Sequence, residues 1–382
     1  MGAIEVVALQ DRFDAVDQLR VLQDHDALVG LLAEQSPVHA GRGAVETEQL
    51  RGYVLASFEA IGLPATAMPF VIEELEIGLN PYCVAAAAKA LRGALDPPEP
   101  VTALLLDAID HIRSSDDVVS FDRRTGSGEG ASTTALMELF RTLVWLGPRA
   151  REAAMPLKAM LAQRPAGFSR QVQVEIEQAL AAVSRGIMPA AGGCCGGSDA
   201  PVAFKSLAAT PTGLDINAVQ LQDQDGAVFS FGDFFLGRPG VLTFFYTRCM
   251  NPNKCSLTIT KLARLRQRLI AEGLQRRFGI AAVSYDPAFD QPARLRAYGE
   301  ARGMAFDDRN KLLRTTGPFE PFQRRFDLGV GFGPTTVNQH RLDIIVLSDS
   351  GHPTATISRV QWDEDDVLAA LKAADRNGAA AR

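Results

Sequence analysis

The chain has 382 residues, a formal net charge of −6 and a hydrophobic content of 47%. This length predicts two or three domains, and the composition is that of a globular protein with buried cores. The acidic balance argues against general nucleic-acid binding, whose signature is a basic domain. Five cysteines, an odd number in so long a chain, argue against a disulfide-stapled secreted scaffold.

The N-terminal segment carries no recognisable targeting signal. Its first twenty residues include acids and lack the basic stretch and apolar core of a signal peptide. No apolar run in the chain reaches the length that spans a bilayer. We therefore expect no membrane span, and the cytoplasm is the default compartment.

Residues 1–187 predict an all-α domain, because apolar residues recur at helical spacing between turns that contain glycine and proline. The segments around Gly62 and Gly147 resemble each other, since each has a small-residue turn followed by an Ala-rich helix containing proline. These glycines lie 147 − 62 = 85 residues apart, close to two HEAT or armadillo periods. The pattern predicts a HEAT-like helical solenoid that binds a protein partner, and an irregular helical bundle without a partner is the alternative.

Two segments of this half are polar or rich in glycine. Residues 114–130 predict a long exposed loop, and residues 188–201 predict a flexible linker around Cys194 and Cys195. Adjacent thiols on a mobile linker can bind a soft metal or exchange disulfides, but they can equally be plain linker residues. Cys83 lies in a small-residue helix and is assigned to the core.

The main candidate site lies where an apolar run meets two cysteines. Val241 to Tyr246 predicts a buried strand, and Ser256 to Ile270 repeats apolar residues at helical spacing. Cys249 and Cys255 therefore lie on the loop between a strand and the following helix. In an open α/β sheet, sites form outside the carboxyl ends of strands. A helix N-terminus also favours the thiolate form, which is the nucleophile and the metal ligand.

The remaining elements predict a thioredoxin-like α/β domain over residues 202–376, followed by a disordered tail, residues 377–382. Their order is hairpin, strand, helix, strand, helix, helix, hairpin, helix. The first hairpin turns at Asp225-Gly226, and the last encloses Ser350-Gly351.

Three segments of this domain resemble the Sco/SenC family of copper chaperones and thiol-disulfide proteins. GRPGVLTFFYTRC is similar to the strand that leads to the family's first cysteine, here Cys249. AVSYDPAFDQPARLRAYGE is similar to the family's second segment, from Ser284 to Tyr298. VNQHRLDIIVLSDSG places His340 where the family has its ligand histidine. The resemblance covers the C-terminal half only.

The resemblance implies that Cys249, Cys255 and His340 bind copper. Two thiolates and one imidazole are a soft donor set that suits Cu(I) and tolerates Cu(II). Two features depart from the family: five residues rather than three separate the cysteines, and a helical domain replaces the usual membrane anchor. The longer spacing predicts a wider and less fixed geometry of the two thiols than three residues give, and the helical domain distinguishes this chain from family members that assemble cytochrome oxidase.

Other side chains near the site have open assignments. Asp286 can orient a ligand or can simply form a turn, whereas Arg248 and Lys254 flank the thiols and are expected to lower their pKa. Tyr246 and its neighbour Phe245 are assigned to the core.

Two functions follow as hypotheses. The first is a copper protein, a metallochaperone or thiol-redox protein, whose helical half docks a partner that donates or accepts the metal. The second is a thiol-disulfide oxidoreductase or peroxidase-like enzyme, with Cys249 as nucleophile and Cys255 as resolving thiol. The cytoplasm is the expected compartment, and the family resemblance implies the periplasm or a membrane-associated location as the alternative.

Overall fold

The computed structural model describes residues 9–98, 100–121, 132–162, 168–185 and 215–380. The chain divides into two compact units, Met1–Asp199 and Ala200–Arg382. Among the described residues, no helix combines the length and the apolar character needed to cross a membrane. Cys194 and Cys195 lie outside the described residues.

The described part of the N-terminal unit is mainly helical. Its helices are α1 Leu9–Leu22, α2 His25–Leu32, α3 Ala44–Ile61, α4 Met68–Ile77, α5 Pro81–Leu91, α6 Val101–Ile112, α7 Ala135–Leu146, α8 Ala154–Ala162 and α9 Arg170–Val183. Side-chain oxygens of Asn80, Thr134 and Ser169 accept hydrogen bonds from the first turns of α5, α7 and α9. Gly62 and Gly147, the two glycines of the repeat-like segments, end α3 and α7 with positive φ.

Alternate helices of this unit pack on one another. α3 packs against α5, α5 against α7, and α7 against α9, while α4 packs against α6. The helical character is therefore confirmed, and the HEAT-like repeat stays a prediction. The expectation of an entirely helical half was wrong in one place, because β1 Val118–Val119 and β2 Thr133–Thr134 form a short antiparallel ladder. That ladder lies within and beside the segment predicted as a loop.

The C-terminal unit is built on a seven-stranded mixed sheet in the order β11-β10-β5-β6-β7-β3-β4. The strands are β3 Gln220–Asp223, β4 Val228–Ser230, β5 Gly240–Phe245, β6 Gly279–Ser284, β7 Asn310–Thr315, β10 Asp343–Leu347 and β11 Pro353–Ser358. β5, β6 and β7 run parallel, and the other strands pair antiparallel. Every residue of β5 and β6 is buried, which is why both strands are nearly continuous apolar runs.

Helices and a separate ribbon complete the thioredoxin-like fold. The helices are α10 Phe231–Phe235, α11 Leu257–Ala271, α12 Pro292–Glu300, α13 Glu320–Arg325 and α14 Glu364–Ala380, and the ribbon pairs β8 Val330–Phe332 with β9 Val337–His340. The thioredoxin-like fold class is confirmed. The predicted element order lacked strand β7 and this ribbon. α14 is described as far as Ala380, and the disordered tail stays a prediction.

Candidate metal centre

The site lies at the edge of the sheet where β5 and β6 end. These strands are parallel, so the loops that follow Phe245 and Ser284 leave the sheet on the same side. The first loop carries Cys249 and leads to Cys255. The ribbon strand β9 ends with His340, so three chain segments meet at this edge.

A π-helical turn, Pro252–Ser256, accommodates the five residues between the cysteines. The Asn251 side chain starts this turn by accepting a hydrogen bond from the Asn253 amide, 2.9 Å away. The turn runs directly into α11 and places Cys255 in the interior, with 1% of its surface exposed. Such turns are common at functional sites, because they take up extra residues without breaking the helix.

Both sulfurs approach the same nitrogen of His340. Nε2 lies 3.4 Å from Cys249 Sγ and 3.5 Å from Cys255 Sγ. All three potential ligand atoms lie within 4.8 Å of one another. A tetrahedral ion bound at about 2.3 Å from sulfur and about 2.0 Å from nitrogen would hold S and N about 3.5 Å apart. The wider cysteine spacing therefore does not separate the sulfurs, and the cluster can hold a metal ion.

A backbone carbonyl fixes the tautomer of His340. Its Nδ1 lies 3.2 Å from the carbonyl oxygen of Arg341, which can only accept a hydrogen bond. In the neutral ring Nδ1 therefore carries the proton, and the lone pair of Nε2 faces the two sulfurs. This is the arrangement by which proteins prepare an imidazole for a metal ion.

The two thiols differ sharply in acidity. A hydrogen bond from Cys255 lowers the pKa of Cys249 to about 3; burial opposes this shift, and His340 adds to it only when its ring is protonated, through its positive charge and an Nε2–H donor. Burial raises the pKa of Cys255 well above its ordinary value, and the hydrogen bond to Cys249 and the charge of that thiolate add to the effect. Cys249 is thus a partly accessible thiolate next to a buried thiol.

Aromatic rings surround the histidine. The ring centroid of Tyr246 lies 5.4 Å from that of His340, edge to face, and the ring of Tyr285 lies 5.6 Å away. Burial is the largest cause that raises the pKa of the Tyr246 hydroxyl. The charges of the two cysteines and a hydrogen bond to Cys249 raise it further. Tyr246 is buried, as a core residue should be, but its hydroxyl also contacts the site. Its position three residues before Cys249 is the one sequence signal of this role.

The flanking charged residues hold the loop in place. Arg248 donates to Asp286 Oδ2 from Nε at 3.1 Å, and the same guanidinium donates to the Thr335 carbonyl at 3.0 Å. Lys254 Nζ donates to the backbone oxygen of His340 at 3.1 Å. Asp286 thus pairs with Arg248, whereas the group that orients His340 is the Arg341 carbonyl. The pKa of Cys255 is lowered slightly by Lys254, but burial outweighs this effect.

A buried carboxylate also anchors the cysteine loop. Asp290 is fully buried and accepts hydrogen bonds from the amide and hydroxyl of Thr247 and from Ser284 Oγ. Thr247 comes two residues before Cys249. Asp290 therefore connects the loop after β6 to the loop after β5. Sequence reasoning placed Asp290 in a family segment but gave it no function.

Cys83 is not part of this centre. It is buried in α5 of the N-terminal unit, as expected, and its thiol lies 3.4 Å from the carbonyl oxygen of Glu48.

The fold and the site together define a thioredoxin-like domain that brings a dithiol and a histidine together at the edge of the sheet. The SCO1/SenC family model matches residues 214–373, which confirms the resemblance in the C-terminal half. No curated protein matches the chain.

Solved structures match less than half of this chain. A SCO1/SenC family lipoprotein from Bacillus anthracis is 21% identical, with coverage of 43% of this chain and 98% of its own and a TM-score of 0.37. ScoI of Bradyrhizobium japonicum with copper bound is 20% identical, with coverage of 41% and 97% and a TM-score of 0.32. Peroxiredoxin Q of Xanthomonas campestris is 19% identical, with coverage of 44% and 99% and a TM-score of 0.33. At these identities and TM-scores, none of the three indicates a function for this chain.

Proposed function

We propose that the C-terminal unit binds one copper ion through Cys249 Sγ, Cys255 Sγ and His340 Nε2. The observation that supports this most directly is the convergence of three soft or borderline donors within 4.8 Å, two of them buried. The tautomer of His340 adds support, because the lone pair of its Nε2 is directed at the sulfurs. The protein would then donate or accept copper, or would use the same thiols in redox chemistry.

Copper is favoured over zinc by the family match rather than by geometry. Two thiolates and an imidazole also suit Zn²⁺, which takes this set in some catalytic sites. The SCO1/SenC family model and the preference of thiolates for Cu(I) point to copper. A disulfide between the cysteines has no thiolate left to bind a metal ion. The oxidation state of the pair would therefore control metal retention.

The helical half would dock the protein partner. Its alternating packing, with α3, α5, α7 and α9 in sequence, is consistent with the predicted HEAT-like stack. Ion pairs connect this series: Arg92, just after α5, binds Glu59 of α3 and Glu138 of α7, and Arg141 of α7 binds Glu175 of α9. Such links would fix the register of the stack while leaving its outer surface for a partner.

A Cu(I) titration of the reduced protein against a competing chelator tests the copper site. The intact protein should take one tight equivalent, and both Cys249→Ser and His340→Ala should lose it. Cys83→Ser is the matched control, because that buried thiol lies in the other unit and should not affect binding. Unchanged affinity in His340→Ala would contradict the ligand assignment. Loss in a double Cys194→Ser/Cys195→Ser variant would add the linker to the site.

The acidity difference between the two thiols favours a second candidate, a thiol-disulfide oxidoreductase. The Cys249 thiolate would attack a substrate disulfide, forming a mixed disulfide as the substrate's other sulfur leaves as a thiolate. The Cys255 thiol, on losing its proton, would then displace the second substrate sulfur and close a Cys249–Cys255 disulfide. Disulfide turnover that disappears in Cys249→Ser, without tight copper binding, would select this function.

A further inference from the structure

Three arginines surround the loop of residues 285–291, next to Cys249. The guanidinium of Arg248 stacks on the Phe289 ring at 4.2 Å from its centroid, and that of Arg294 stacks on the same ring at 4.0 Å. Arg314 Nη1 donates to the Pro287 carbonyl at 2.7 Å. We call Arg248, Arg294 and Arg314 the arginine collar.

The collar carries a local excess of positive charge. Among the residues that the structure describes, Asp286 is the one carboxylate that pairs with the collar, through Arg248. Asp290 belongs to the same loop, but it is fully buried and faces Thr247 and Ser284. Only one of the three guanidinium groups is paired with a carboxylate among the described residues, so two of them remain available for acidic groups of a partner, in a chain whose net charge is −6. The collar is therefore a basic spot on an acidic protein.

Two exposed apolar side chains adjoin the collar. Met250, directly after Cys249, is 91% exposed, and Phe332, at the end of β8, is 41% exposed. The turn that follows Phe332 is held to the collar, because Arg248 donates to the Thr335 carbonyl. Methionine, phenylalanine and arginine are residues that protein interfaces favour. A small anion would need only the arginines, whereas a polypeptide would also cover Met250 and Phe332.

We propose that the arginine collar, with Met250 and Phe332, docks an acidic segment of a partner protein and sets that partner's thiol against Cys249. Stacking on Phe289 preorganises two of the guanidinium groups, so less side-chain freedom is lost when carboxylates bind. This proposal specifies the chemistry of the partner in the proposed function. It rests on the proposed function in one respect, namely that Cys249 is the reactive group.

The test uses two synthetic peptides of equal length, each with one cysteine activated as a 2-pyridyl disulfide. One peptide carries four glutamates around the cysteine, and the other carries four glutamines. The Cys249 thiolate attacks the peptide sulfur, a Cys249–peptide disulfide forms, and 2-thiopyridone leaves with the electron pair of the broken S–S bond and takes up a proton. Absorbance of the released 2-thiopyridone gives the rate. The protein is metal-free and carries Cys194→Ser and Cys195→Ser, so that linker thiols do not contribute.

The acidic peptide should react about tenfold faster than the neutral one at low ionic strength. Salt should reduce this ratio, because it screens charges at the surface. Arg294→Glu should abolish the preference for the acidic peptide. Arg276→Glu is the matched control: Arg276 is exposed, and it lies before β6, at the opposite edge of the sheet, so the preference should persist.

Equal rates for the two peptides would overturn the proposal, as would an acidic preference that survives Arg294→Glu. Competition by free citrate that matches competition by a thiol-free acidic peptide would indicate a small-anion site and would also overturn it. Because no metal is present, the outcome is independent of the copper titration. A protein without a tight copper site can still show the acidic preference, and a copper-binding protein can lack it.

Discussion

Replacing Asp290 with alanine should destabilise the C-terminal unit and loosen the cysteine loop. Asp290 is fully buried and accepts hydrogen bonds from the Thr247 amide at 3.1 Å, from the Thr247 hydroxyl, and from Ser284 Oγ at 2.5 Å. Alanine accepts none of these, so donors of two residues are left unsatisfied in the interior.

The magnitude follows from the number and the burial of those bonds. Each hydrogen bond to a charged group contributes about 1.5–3 kcal/mol, so three could supply well over 4 kcal/mol. Burial opposes this contribution, since it disfavours the charged carboxylate and raises the pKa of Asp290. We therefore expect the free energy of unfolding to fall by about 3 kcal/mol. For a unit of this size, that corresponds to a Tm about 6–12 °C lower.

Tryptophan fluorescence can follow the two units separately. The chain has two tryptophans: Trp362 is buried in the C-terminal unit, and Trp145 lies in α7 of the N-terminal unit. In a Trp145→Phe background, urea unfolding followed by fluorescence reports on the C-terminal unit. The free energy of unfolding of Asp290→Ala is then compared with that of its parent in this background.

Asp308→Ala is the matched control, because Asp308 is an exposed aspartate of the same unit. Its replacement should change the free energy of unfolding by less than about 0.5 kcal/mol. If Asp290→Ala changed it by no more than this control, the anchoring role of Asp290 would be refuted. A fall of the expected size together with faster alkylation of Cys255 would show that the loop itself has loosened.

Two further predictions concern pH. Because the pKa of Cys249 is lowered to about 3, this thiol should be alkylated by iodoacetamide at a nearly constant rate from pH 7 to pH 5, while Cys255 stays unreactive. Mass spectrometry of tryptic peptides identifies the alkylated cysteine. An alkylation rate that falls tenfold per pH unit over this range would contradict the lowered pKa. Burial lowers the pKa of His39 from 6.5 to about 4, so the unfolded chain binds the extra proton first as pH falls. The N-terminal unit should therefore lose up to about 3 kcal/mol of stability between pH 6.5 and pH 4. Urea unfolding followed by circular dichroism measures this loss. If the stability of a His39→Gln variant decreased as steeply over the same pH range, the prediction would be contradicted.

Local patterns in the sequence determined most of the secondary structure around the site. The apolar run before Cys249 corresponds to β5, and the helical spacing after Cys255 corresponds to α11. Both could be predicted because the spacing of apolar residues within one element reflects the geometry of that element alone. β7 was missed for the complementary reason. Asn310–Thr315 contains Asn310, Lys311 and Arg314, and its burial depends on β6 and β3, which lie far away in the sequence.

The strand-loop-helix pattern supplied Cys249 and Cys255, the family resemblance supplied His340, and only the tertiary structure determined how the three are arranged. His340 lies 340 − 255 = 85 residues after Cys255, so no local pattern can join the two. With a π-helical turn between the loop and α11, both sulfurs lie next to one nitrogen of His340 despite the five-residue spacing of the cysteines. Their role as copper ligands stays a prediction.

The electrostatics of the site also depend on tertiary contacts. Cys249 and Cys255 are the same residue type on one loop, yet the pKa of the first is lowered and that of the second is raised. The difference arises because Cys249 receives a hydrogen bond from Cys255, whereas Cys255 is enclosed by the core. Asp286, a candidate to orient a ligand, instead pairs with Arg248. Sequence determines which groups can ionise, but burial and neighbours from distant segments determine which of them do.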